Sequence, residues 1–209
     1  MAPGILAQLS IIILFILYWA EWFQTDLSRK KGYVLAWGAL GLTSCSPLSI
    51  TASWWIHPGM VVLLLGQLMA LCRLRLSRAV MMLSHGLFSG TLLFLWHEYT
   101  RVNTDWAHPL FRSLCVMAFS GWGLLISRRI SEQAAYILYG SFMLHVWITC
   151  FHREMLMPLI WGPHEFLDTV WLSLMVMLGL HRMKAFVAVW FKAGLRCERV
   201  RTYAKGRMR

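Results

Sequence analysis

Apolar runs long enough to cross a bilayer recur along the whole chain, and Lys and Arg gather in alternate gaps between them. Away from water, such a run satisfies its own backbone donors and acceptors only as a helix. The pattern therefore confines the chain to an all-α, polytopic transmembrane helix bundle. Composition agrees: 58% of the 209 residues are hydrophobic, only 14% are charged, and the mean hydropathy is +0.57, values outside the soluble globular range. About seven spans of 20 residues would take roughly 140 positions. Short loops and one tail remain, which excludes a soluble enzyme and a transcription factor.

The spans are expected at residues 5–22, 33–46, 58–72, 79–96, 110–126, 134–151 and 166–180, forming a bundle over 1–180. The first has no basic residue before it, unlike a signal peptide, and is expected to be retained. The second is diluted by Gly38, Gly41, Thr43 and Ser44 and is expected to sit between other helices. Three basic residues follow the first span, three follow the third, two follow the fifth and nine lie in the tail. These seventeen oppose only Arg101, Arg112 and Arg153 in the other gaps. Positive residues hold their side in the cytoplasm, so the N-terminus is expected outside and the C-terminus inside.

The net charge of +11 thus reflects one face of a membrane. In the tail, 181–209, Met183, Phe186, Val187, Trp190, Phe191 and Leu195 recur at helical spacing between Lys184, Lys192, Arg196 and Arg199, which predicts an interfacial helix over 183–200. Arg182, Lys184, Lys192, Arg196, Arg199 and Arg201 are the expected contacts to anionic lipid, at about 1 kcal/mol each near the surface. Nucleic acid is not an expected partner, because no recognition motif or interleaved aromatic residues accompany the basic run.

Two histidines fall inside expected spans, His85 and His145, and a buried imidazole needs a polar partner. Ser89 lies four residues beyond His85, and Ser141 lies four before His145, each on its histidine's helix face. Gly86 and Gly90 beside the first pair permit close helix approach. A candidate intramembrane polar site of His85, Ser89, Ser141 and His145 follows, read as interhelical hydrogen bonding or as a proton relay. A rhomboid-type serine–histidine protease does not fit, because the local sequence is Gly86-Leu87-Phe88-Ser89-Gly90 and the serine falls near mid-membrane. No catalytic residue is assigned.

On the expected outer side, His57, His97, Glu98, Asp105, His108, His152, Glu154, His164, Glu165 and Asp168 collect metal-type ligands. Their spacings match no established metal signature, so they read as solvated loop residues, the alternative being a site for a divalent metal or a cationic solute; no metal and no cofactor is assigned. Glu21 and Asp26 read as boundary charges paired with Arg29 or Lys30. The five cysteines, Cys45, Cys72, Cys115, Cys150 and Cys197, show no C-x-x-C. They read as buried free thiols, the alternative being a disulfide among Cys45, Cys115 and Cys150. Phosphate loops, kinase motifs and paired carboxylates at membrane depth are absent from the sequence.

The opening hairpin, Leu6 to Trp22, Ser28-Arg29-Lys30-Lys31, a second helix ending at Cys45-Ser46-Pro47, then Trp54 and His57-Pro58, resembles the YphA-like small membrane proteins of Gram-positive bacteria. The resemblance covers about the first third of the chain and implies a bacterial plasma-membrane protein, without transferring any functional residue. Two function classes follow. The first is a non-enzymatic scaffold or partner subunit, with another membrane protein as partner. The second is a small-solute carrier or the substrate-binding subunit of a transporter. In size the chain resembles the six-span subunits of energy-coupling-factor importers, although the first span offers only Ala7 and Ala20 where an A-x-x-x-A face is expected there.

Overall fold

The computed structural model describes residues 4–19, 38–103, 107–154 and 159–206, with 188–206 described by backbone alone. Seven helices account for most of them. In order they are α1 (Ile5–Trp19), α2 (residues 38–44), α3 (Pro58–Cys72), α4 (Leu76–Asn103), α5 (Ala107–Ile126), α6 (Ile130–Phe151) and α7 (His164–Gly206). The segments Leu76–Val102, Ile130–Phe151 and His164–Lys184 are long and apolar enough to cross a membrane. Three such helices in one chain mark a multi-pass membrane protein. Shorter apolar helices cover Ile5–Leu14, Pro58–Cys72 and Leu110–Ile126; at 1.5 Å per residue α3 spans only about 22 Å. The chain divides into two compact units, Met1–Met177 and Leu178–Arg209.

Local chemistry sets several boundaries. Pro58 occupies the first position of α3, where its missing N–H costs nothing, and His57 Nδ1 accepts the Gly59 N–H at 3.0 Å as an N-cap. Before α6, Ser127 Oγ accepts the Arg129 N–H at 3.0 Å and Gln133 Nε2 donates to the Ser127 carbonyl at 2.7 Å. α4 extends beyond the expected span at both ends. Helical backbone is assigned through Gly206, which includes the stretch 183–200 where a helix is expected.

The architecture is not purely helical. β1 (Leu48–Ser49) pairs antiparallel with β2 (Trp54–Ile56), which pairs in parallel with β3 (Leu159–Trp161) in the register Trp54↔Leu159 and Ile56↔Trp161. Both segments read as loops in the sequence. Strands of two or three residues are too short to show a period-2 pattern.

α6 is the central helix, packing on α3, α4 and α5. Half of its apolar window is buried, against 28% for α4 and 33% for the window in α7. The expected close approach at Gly86 and Gly90 is made by α6. A Cβ on Gly90 would lie 2.6 Å from the Gly140 carbonyl oxygen, and one on Gly86 would lie 3.1 Å from the Gly140 nitrogen. Trp147 Nε1 donates to Thr91 Oγ1 at 3.1 Å across the same seam. Away from it, α3 exposes Val61, Leu64, Leu65 and Leu68, and α4 exposes Phe88, Leu92 and Leu95. Contiguous apolar surface of this kind is costly in water and suits hydrocarbon.

Candidate functional site

Where α4 and α6 finish and α5 and α7 begin, next to β3, the helices leave a cavity of about 660 Å³. This volume lies within the range of small-molecule sites. Its wall is largely apolar, with Phe111, Phe119, Leu144, Ile148, Ile160 and Phe166. Polar groups enter from four helices: His97 and Arg101 from α4, Arg112 from α5, Ser141, His145 and Thr149 from α6, and Glu165 and Thr169 from α7.

Of the four expected polar-site residues, Ser141 and His145 line this cavity, and His85 and Ser89 do not. The two pairs are separate. His145 is buried, and its Nε2 accepts the Gly162 N–H at 3.1 Å. Because a backbone N–H only donates, this imidazole is neutral with its proton on Nδ1. Its partner is the segment after β3, and not Ser141. Gly162 has φ 75°, and a Cβ there would meet Met60 at 2.9 Å, so a glycine is what permits the bond. Ser141 Oγ is buried with no hydrogen-bond partner among the described residues. In α4, His85 Nδ1 lies 2.8 Å from the Met81 carbonyl and Ser89 Oγ donates to the Gly86 carbonyl at 3.1 Å. Both bonds run back into their own helix.

At the cavity wall, Glu98 Oε1 lies 3.0 Å from His97 Nδ1 and 2.7 Å from His152 Nε2. Glu98 Oε2 lies 3.5 Å from Arg101 Nε. The three side chains are partly shielded, at 16%, 27% and 12% exposure for His97, Glu98 and His152. The His97 ring meets Phe111 edge-on at 4.8 Å. Sequence spacing misses this cluster because neighbouring helix positions do not ordinarily share a face and His152 arrives from the C-cap of α6.

Arg112 and Asp168 are the other unforeseen pair. Asp168 is 1% exposed and lies in α7, where a solvated rim carboxylate had been expected. It accepts from Gly4 N at 3.0 Å and Ala7 N at 2.6 Å, and Arg112 Nη2 lies 2.8 Å away. The carboxylate thereby supplies acceptors to the open N–H groups at the start of α1. Arg112 Nε is buried without a hydrogen-bond partner among the described residues.

His57 also departs from the solvated reading, being fully buried with its ring edge-on to His164 at 4.5 Å. Burial first, and the neighbouring His164 second, push its pKa down to about 4. Glu154 is exposed and Glu165 lies at the cavity rim. Asp105 and the His108 side chain lie outside the described residues, as do Glu21, Asp26, Arg29 and Lys30.

Elsewhere, Glu132 is 3% exposed at the start of α6, accepts from Ser127 Oγ, and lies 3.9 Å from Arg78. A lone acid opening an apolar run was the available signal. Cys45, Cys72, Cys115 and Cys150 are free thiols, so none forms the disulfide considered above, and only Cys115 is buried. Of the expected lipid contacts, Arg182 is half-buried and Lys184 exposed. The side chains of Lys192, Arg196, Arg199 and Arg201 lie outside the described set. No family model, curated protein or solved structure matches the chain.

Proposed function

We propose that the protein is a seven-span bacterial plasma-membrane protein, with its N-terminus outside and its C-terminus cytoplasmic. In this reading it binds a small solute in the cavity, as a carrier or as the substrate-binding subunit of a transporter. The supporting observation is the cavity of about 660 Å³, whose wall is largely apolar with a few polar side chains. Arg112 and Arg101 already face Asp168 and Glu98, so the solute is one with an apolar body instead of a strong net charge.

Native mass spectrometry of the gently solubilised chain tests this. A copurifying small molecule, lost when Ser141→Phe fills the cavity, is the expected result. An empty chain carrying a stoichiometric protein subunit would replace the solute with the scaffold reading. Kinship with the YphA-like proteins belongs to the same proposal and rests on the N-terminal hairpin. So does contact of the tail with anionic lipid, supported by helical backbone through Gly206; added salt should weaken vesicle binding of residues 181–209.

A further inference from the structure

Beside the solute cavity, His97, Glu98 and His152 present one ligand atom each, all within 4.8 Å of one another. Metal–ligand bonds to imidazole nitrogen and carboxylate oxygen run about 2.0–2.2 Å. Two atoms in one shell are therefore at most about 4.4 Å apart by that geometry, so the cluster is already near coordination spacing. Both imidazole nitrogens converge on the same oxygen, Glu98 Oε1, at 3.0 and 2.7 Å. We propose that His97 Nδ1, Glu98 Oε1 and His152 Nε2 form a binding site for a divalent first-row transition-metal ion.

Three features beyond proximity support it. The donor set mixes two imidazoles with one carboxylate, which suits zinc, iron or cobalt and is poor for magnesium or calcium. The ligands are also oriented from outside: Arg101 Nε holds Glu98 Oε2 at 3.5 Å, leaving Oε1 for the ion, and Phe111 fixes the plane of His97. Outer partners of this kind are what hold ligands in a working metal site. Finally, His97 and His152 both line the cavity, so a three-ligand ion would keep its remaining positions open towards that space, as sites that bind water or substrate do. The carboxylate offsets part of the ion's charge beside Arg101. Binding needs each ring to carry its proton on the nitrogen away from Glu98: Nε2 of His97 and Nδ1 of His152.

This site stands independently of the solute reading, and its test uses metal alone. The full-length chain, purified in detergent without a histidine tag and stripped with chelator, is titrated with Co²⁺ by visible absorption and with Zn²⁺ by calorimetry. One ion per chain is expected. His152→Ala and Glu98→Gln should each weaken binding by about 100-fold or more, beyond the 10–100-fold typical of outer-partner loss. Glu154→Ala, exposed in the same turn, should leave it unchanged. X-ray absorption of the zinc-loaded wild-type chain needs no variant and should show two imidazole nitrogens around the metal. Failure to bind stoichiometrically, undiminished binding in both cluster variants, or a first shell without two imidazoles would each overturn the site, leaving a hydrogen-bonded His–Glu–His network.

Discussion

Arg112 Nη2 lies 2.8 Å from Asp168 Oδ2, joining α5 to α7 through a carboxylate that is 1% exposed. The same carboxylate accepts two backbone N–H groups of the first turn of α1, so one side chain holds three helices in register at the cavity. A buried carboxylate held by three donors forms a joint that is costly to break from one side.

Removing the carboxylate should therefore be worse than removing the cation. Asp168→Ala leaves Arg112 and two N–H groups without their acceptor, and should cost about 3–5 kcal/mol. Arg112→Ala should cost less, since Asp168 keeps its two backbone donors, Gly4 and Ala7 N–H. In chemical unfolding of detergent-solubilised protein, the double variant should lose less than the sum of the two. Additive losses would mean that the pair is not coupled.

The α4–α6 seam should tolerate no side chain at Gly90. Gly90→Ala would push a Cβ to 2.6 Å from the Gly140 carbonyl oxygen, separating the helices at a cost of about 1–3 kcal/mol. Gly66→Ala is the control: its nearest neighbour would be a Leu138 side-chain atom at 3.8 Å. A melting temperature that falls for the first variant and holds for the second is the expected result.

Acid should loosen the sheet end of the bundle through His57. Folded, its pKa lies at about 4 because of burial and then His164; unfolded, it returns to about 6.5. The unfolded chain then binds more protons between these values, so the contribution of His57 to stability is full above about 6.5 and declines as pH falls towards 4. His57→Asn keeps an acceptor for the Gly59 N–H and removes the titration. The slope of melting temperature against pH across that window should become shallower in the variant; an unchanged slope would exclude His57 as its source.

Membrane orientation is tested by reporter fusions. Junctions at Lys31, Arg75, Arg129 and the C-terminus should report cytoplasm, and junctions at residues 50, 103 and 160 the outside. A C-terminus outside would defeat the seven-span topology.

Helices were legible because hydrophobic runs and basic gaps are local signals: each apolar run contains a helix, and Gly86 with Gly90 marked the closest seam. The sites were legible only as residue types. His145 was visible as a buried imidazole, but its acceptor role depends on a glycine seventeen positions away with positive φ, and no spacing rule reaches that far. His97, Glu98 and His152 stand in the sequence among ten metal-type ligands of the expected rim, read as loop residues whose spacing matches no signature; only the extension of α4 through Asn103 and the C-cap of α6 single out these three. Asp168 looked solvated for a similar reason: its partners are Arg112 and the first turn of the chain, distant in sequence. The short strands were hidden by their length.

The bonds from Gly4 and Ala7 to Asp168 span 164 and 161 residues, which gives the fold a timetable. With synthesis at roughly 5–20 residues per second, α1 emerges about 10–30 s before the carboxylate that accepts its first N–H groups. Until then its opening turn lacks its final partners. Although α1 precedes the other described helices, it is thus among the last to be locked, and a chain stopped anywhere between α1 and residue 168 would carry its N-terminal turn still open.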